Sequence, residues 1–288
     1  MNGRPRKHVF RFAFRVMRLW FFGTDRTAEL VDRSYDGISG GYDETWTTHM
    51  RERTADLVDR LDVRPGWCAA DLTCGTGYAT GLLAECTGQK VVGVDRSSGM
   101  LAEARRRHGD ACEFVQSDVL EYLKGQPANS IDLVTCCWGL GYSRPLAVLR
   151  QIRRVLRPGG RVGIIDNTAF SLREVMTCSV LTFMECADKL ENVMHFRFLT
   201  GKRMLGLWMR LAGLKPLALW SGEKSYIADD GRRAIARLQA TGAAAGFEFA
   251  ASGADSAVVF DRFAEIIEEK YRDAIPIIHR FAAGTARK

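Results

Sequence analysis

The chain has 288 residues, enough to bury one large core. Its eight cysteines form no Cys-x-x-Cys pair and its five histidines do not cluster, so neither a metal site nor a disulfide framework is expected. A formal net charge of +7 and a pI of about 9.1 permit contact with acidic membranes, nucleic acids or anionic substrates without choosing among them. No apolar run is long enough to cross a bilayer, so the expected location is cytoplasmic, with membrane association left open.

Residues 1–23 carry Arg4, Arg6, Lys7, Arg11, Arg15 and Arg18 and no acid, interleaved with ten bulky apolar side chains from Val9 to Phe22. At about 100° per residue, positions 4, 7, 11, 15 and 18 share one narrow stripe of a helix and leave a broad aromatic surface. Such a helix either lies in a membrane interface or packs as a cap on the domain, and both readings stand. Arginines interrupt the apolar run and no small-residue cleavage site follows, which argues against a signal peptide. A glycine-broken stretch, Ser34 to Trp46, then precedes an amphipathic helix over His49–Leu61, stopped by Arg64-Pro65-Gly66.

The centre of the chain is Ala69-Ala70-Asp71-Leu72-Thr73-Cys74-Gly75-Thr76-Gly77, a buried strand running into a glycine-punctuated turn and then a helix. Gly75 and Gly77 allow φ > 0 and a close approach of backbone to ligand, and the free N–H groups of the helix start suit an electron-rich group. A dinucleotide fingerprint would place a third small residue at Thr80, and a pyrophosphate would be repelled by Asp71. A carboxylate at that point suits a ligand carrying an amino group. Lys90–Asp95 reads as a second strand ending in an acid that can accept from ribose hydroxyls. Ser97 caps the next helix, and Met100 is placed to lie against an adenine. Further strands are expected at Cys112–Gln116, Ile131–Cys137 and Arg161–Asp166.

The acidic residue before Gly75-Thr76-Gly77, together with Val155-Leu156-Arg157-Pro158-Gly159-Gly160, resembles the class I S-adenosylmethionine-dependent methyltransferases of the small-molecule type. Thr73 stands where that family usually has its first glycine. The resemblance implies a doubly wound, Rossmann-like α/β fold of about seven mostly parallel strands. It also implies S-adenosyl-L-methionine as cofactor, with S-adenosyl-L-homocysteine as product. Carried over residue by residue, the cofactor site comprises Tyr35, Tyr42, Asp71, Thr73, Cys74, Gly75, Thr76, Gly77, Asp95, Arg96, Met100, Asp118, Val119, Cys137, Trp138 and Gly139. Asp118 falls at the adenine-contacting position, and Tyr35 and Tyr42 belong to a Tyr-Asp segment that helps close the pocket in such relatives.

Residues 167–214 are rich in Met, Phe and Cys, which fits an adaptable apolar lid; Met184 and Phe198 are lid candidates. Helix–helix core is the equally weighted alternative for the same stripe. Tyr142 and His195 are the candidates for orienting the acceptor. A sixth strand is expected over Leu214–Ser221, two helical patterns between Asp229 and Lys270, and a last strand over Ile275–Phe281. The chain therefore divides into an N-terminal helical segment (1–62), a cofactor core (63–166), a lid (167–214) and a C-terminal part (215–288), integrated as one domain.

No Asn-Pro-Pro-Tyr, Asp-Pro-Pro-Tyr or Pro-Cys motif follows the fourth strand, which argues against base methylation and against a nucleic-acid partner. The expected function is methyl transfer to a small, apolar or amphiphilic metabolite. The alternatives are a nucleic-acid or protein methyltransferase and a non-catalytic cofactor-binding scaffold.

Overall fold

The computed structural model describes residues 6–251, 253–272 and 274–288; Arg4 of the N-terminal basic stripe lies outside them. In chain order, α1 (Arg6–Phe22) and α2 (Thr27–Ile38) lead through short 3-10 and π-helical turns into α3 (Thr48–Asp59). Then follow β1 (Ala69–Leu72), α4 (Tyr78–Thr87), β2 (Val91–Asp95), α5 (Ser98–His108), β3 (Cys112–Gln116), α6 (Val119–Gly125) and β4 (Ile131–Cys137). The second half holds α7 (Pro145–Val155), β5 (Leu156–Asn167), α8 (Arg173–Glu185), α9 (Lys202–Leu211), β6 (Lys215–Ala228), α10 (Gly231–Ala240), α11 (Ala254–Tyr271) and β7 (Ile275–Arg287).

The strands form one seven-stranded sheet in the order β3-β2-β1-β4-β5-β7-β6. The first five pair in parallel, and β7 runs antiparallel to β5 from Arg161↔Arg287 to Asn167↔Phe281. The doubly wound, mostly parallel fold expected from the sequence is the one found. Strand order reverses between the parallel neighbours β1 and β4, and the crevice beyond the carboxyl ends of two such strands is where open α/β sheets bind ligands. Local chemistry sets the helix starts around it. Ser97 accepts from the Met100 amide to cap α5, Asp118 accepts from Leu120 and Glu121 to cap α6, and Pro145 opens α7, where its missing N–H costs nothing.

β6 extends seven residues past the expected end at Ser221. A Cβ on Gly222 would meet the Phe281 ring, so the glycine is what lets that aromatic side chain cross the strand. The alternation of exposed and half-buried residues continues through Tyr226, as an edge strand with one solvated face requires.

The chain folds into two compact units. One comprises 35–171, 196–223 and 280–288 and is built around β1–β5; the other comprises 1–34, 172–195 and 224–279. The core of the first packs α6, α7 and α9 on one face of the sheet through Leu123, Val148, Leu149, Ile152, Leu205 and Met209, while Leu83, Leu101 and Ala104 cover β1–β3 on the other. The second is centred on Val175 and Cys178 of α8 against Ile235, Leu238, Phe263 and Ile267 of α10 and α11.

Candidate functional site

The turn after β1 is a run of left-handed backbone: φ is +58° at Thr73, +54° at Gly75 and +86° at Gly77. The two glycines do different jobs. A Cβ on Gly77 would meet His108, Phe114 and Ala104, so its bareness lets α4 start against α5 and β3. A Cβ on Gly75 would meet nothing within 4 Å, so its bareness leaves open space directly above the backbone. At φ +54° a glycine carries no strain, and the open side leaves the backbone accessible to a ligand.

Thr73 holds a conformation costing a β-branched residue about 1–3 kcal/mol. Its hydroxyl offsets part of that cost by donating to the Leu72 carbonyl and to the Cys137 carbonyl (3.1 Å), which ties the end of β1 to the end of β4. Gly139 makes the room, because a Cβ there would collide with the Thr73 side chain. Trp138 between them is also left-handed, at φ +63°, and its indole N–H donates to Thr54 Oγ1 at 2.9 Å. Two strained non-glycine residues thus meet at the switch point of the sheet, as strain does at functional sites.

The acids of the site are held differently. Asp71 is fully buried; Thr135, its register partner on β4, donates to Oδ1 at 2.6 Å, and Thr80 on α4 donates to Oδ2 at 2.8 Å. Burial pushes the Asp71 carboxyl up to about 6 against the lowering pull of both hydroxyls. Asp95 is half-buried and accepts from the Gly75 amide at 2.8 Å and the Ser97 amide at 3.0 Å, which joins the tips of β1 and β2. The four lone-pair sites of its two oxygens leave room for a further donor. Asp118 spends Oδ1 on the α6 cap and keeps Oδ2 3.9 Å from Arg96. Met100 and Val119 are buried, at 1% and 5% exposure, and Cys74 and Cys137 are buried beside the turn.

Two Tyr-Asp pairs seven residues apart fasten residues 35–47 onto these loops. Asp36 accepts from Ser97 Oγ (2.6 Å) and the Gly99 amide (2.9 Å). Asp43 accepts from the hydroxyls of Thr76 and Thr47 and pairs with Arg107 at 2.7 Å. Each fastened Asp delivers the preceding Tyr to one aromatic cluster. Tyr35 lies edge-on to Tyr42 and Tyr142, with its hydroxyl 3.3 Å from that of Tyr142. Tyr142 in turn meets Phe196 and Phe198, both at 5.4 Å between ring centroids. Burial, then the neighbouring hydroxyls and Asp95, holds the Tyr35 and Tyr42 phenols well above their ordinary range, so both are donors at neutral pH. Sequence reasoning missed Asp36 and Asp43; the repeated Tyr-Asp was the available signal. Arg197, between the two phenylalanines, faces the other way and with Arg144, Pro145, Leu146, Ala147 and Trp208 lines an open cleft of about 310 Å³.

Asp166 at the end of β5 was likewise missed. It is fully buried and accepts from the amides of Gly141 (2.6 Å) and Asn167 (2.8 Å), fixing the turn that carries Tyr142; burial pushes its carboxyl up to about 7. Because the folded pKa lies above the unfolded value of about 3.9, its contribution to stability is complete below pH 4 and is lost as pH rises toward 7. Asp166→Asn cannot ionise, so its unfolding free energy relative to the parent should rise by roughly 2–4 kcal/mol between pH 4.5 and pH 8. Urea titrations at the two pH values check this, and a pH-independent offset would contradict it.

The remaining candidates lie in the other unit. The His195 ring stacks on Trp20 at 3.9 Å with Nδ1 4.0 Å from Asp25, and Met184 is half-buried on α8. The structure brings Tyr142 and Phe198 together with the turn residues inside one unit and places His195 and Met184 with α1 and α8. Among the described residues, no group of three or more His, Cys, Asp or Glu side chains is placed to hold a metal ion.

Residues 69–160 match a family described as a methyltransferase domain. The chain is 39% identical over 145 residues to the demethylmenaquinone methyltransferase of Beutenbergia cavernae, a match covering 49% of this chain and 55% of that one. It is 36% identical over 147 residues to the 2-phytyl-1,4-naphtoquinone methyltransferase of Thermosynechococcus vestitus, covering 49% and 61%. The chain thus spans little more than half the length of these curated relatives. The solved structure of the cyclase SpnF is similar at a TM-score of 0.54 and 20% identity, over 85% of this chain and 83% of that one, a likeness of fold alone.

Proposed function

We propose that the chain, whose residues 69–160 match a methyltransferase domain, is a class I S-adenosylmethionine-dependent methyltransferase that methylates a small, largely apolar or amphiphilic acceptor. Prenylated quinols of the kind its relatives' names describe are the favoured class. The observation that carries this reading is the open space above Gly75, framed by Asp95 and the tyrosine cluster.

The residues present fit the cofactor. The turn from Thr73 to Gly77, whose Cys74, Gly75 and Gly77 amides are held by Val94, Asp95 and Cys74, would lie against its methionine end, Asp95 would receive its ribose hydroxyls, and Arg96, Met100, Asp118 and Val119 would flank its adenine. Asp71 acts through Thr80 and Thr135, keeping β1, α4 and β4 in register beneath the turn. When bound, S-adenosylmethionine supplies an electrophilic methyl group on a sulfonium, ready for in-line displacement. The chain then has to hold the acceptor aligned and dry rather than to supply a strong base. Cys137, Trp138 and Gly139 close the β4 side, and Tyr35, Tyr42 and Tyr142 present hydroxyl donors. Phe196 and Phe198 give an apolar wall beside Tyr142. Of the lid candidates, Phe198 is the one in the same unit as the turn.

A panel of prenylated hydroquinones, fatty acids, oligonucleotides and proteins offered with S-adenosylmethionine should yield S-adenosylhomocysteine with the apolar members. Product formed with oligonucleotides or proteins alone would replace this reading by the macromolecular one.

A further inference from the structure

Helix α1 is packed on one side and apolar on the other. Phe12, Val16 and Leu19 join the cluster of Phe183, Leu190, Ala250, Ala251 and Val259, and Arg15 Nε donates to the Leu190 carbonyl at 2.7 Å. At about 100° per residue, the face opposite is Phe10, Phe14, Met17 and Phe21, which fall within about 60° of one another. These side chains are 72%, 64%, 51% and 71% exposed, and Phe22 beyond them is 85% exposed. A helix docked on its own domain ordinarily turns charge to water on that side, and so large a contiguous aromatic surface marks a contact surface.

The rim states what the contact is. Lys7, Arg11 and Arg18 are exposed and lie about 60–100° round the helix from Phe10, and the helix holds no acid at all. Arg11 also lies 3.7 Å from Asp188. No helix among the described residues is long and apolar enough to cross a membrane. A stripe of Phe and Met beside a row of guanidinium and ammonium groups fits one environment, the boundary between acyl chains and phosphates of an anionic bilayer.

We infer that α1 lies in the plane of an anionic membrane surface, with Phe10, Phe14, Met17 and Phe21 inserted among the acyl chains and Lys7, Arg11 and Arg18 on the lipid phosphates. This goes beyond methyl transfer and does not depend on it. It gives the protein access to acceptors that reside in lipid.

The test is sedimentation of the full chain with vesicles of mixed phosphatidylglycerol and phosphatidylcholine, and with vesicles of phosphatidylcholine alone. The parent should pellet with the anionic vesicles and release as salt rises. Phe14→Ser with Phe21→Ser should weaken that partition tenfold or more. Lys7→Gln with Arg18→Gln should weaken it about fivefold per charge and only on anionic vesicles. All four positions are exposed, so S-adenosylmethionine affinity and the melting temperature of both variants should match the parent. A parent that stays in the supernatant at low salt, or a Phe variant that pellets as the parent does, overturns the assignment. Self-association that Phe14→Ser with Phe21→Ser abolishes, without vesicle binding, would give the face to a second copy of the chain instead.

Discussion

Asp95→Ala should weaken S-adenosylmethionine binding by about 2–4 kcal/mol, roughly 30- to 1000-fold, because a ribose loses two charge-assisted hydrogen bonds. The structure adds a reason for the upper part of that range. The same carboxylate holds the amides of Gly75 and Ser97, so its removal also loosens the turn that should receive the methionine end. Isothermal titration of parent and variant measures it, with the parent's melting curve as the control for folding. Unchanged affinity would contradict the ribose assignment.

Gly75→Val should abolish detectable cofactor binding while the sheet stays folded. Valine at φ +54° adds strain of about 1–3 kcal/mol, a tolerable loss for a domain of this size, and its side chain would project into the space that surrounds no other atom. Gly77→Ala should behave in the opposite way. Its Cβ must push into His108, Phe114 and Ala104, so the dominant effect there should be a lower melting temperature. Binding lost and stability kept at position 75, with stability lost at position 77, is the pattern a ligand-facing turn requires. Two equally destabilised variants would mean that both glycines are merely structural.

The strand, turn and helix from Ala69 to Thr87 were legible because the signals there are local: a short apolar run, then glycines, then helical spacing. The doubly wound, mostly parallel class of the sheet was legible through the resemblance, since parallel strands joined by helices leave few topologies. What the sequence hid was long-range and polar. Asp36 meets Ser97, and Asp43 meets Thr76 and Arg107, across 33 to 64 positions of chain, and no periodicity announces such pairings. Asp71 was legible as an acid before a glycine turn, but its occupation by Thr80 and Thr135 follows from the register of β1 on β4. The run of β6 past Ser221 was hidden for a related reason: Gly222 makes room for the ring of Phe281, a neighbour some sixty residues away. In α1 the helical period was plain, yet four arginines and six phenylalanine or tryptophan side chains could be divided between a packed and a solvated face only by knowing which of them touch Leu190 and Val259.

The most direct test of the central claim is transfer of a labelled methyl group. The full chain, loaded with S-adenosylmethionine carrying the label on that group, is mixed with a prenylated hydroquinone, and the organic extract is counted. The account predicts label in the extracted acceptor with the parent and with Phe14→Ser plus Phe21→Ser in detergent, and none with Gly75→Val. Cofactor that binds the parent but keeps its label against every acceptor offered would contradict methyl transfer and leave the chain a cofactor-binding scaffold.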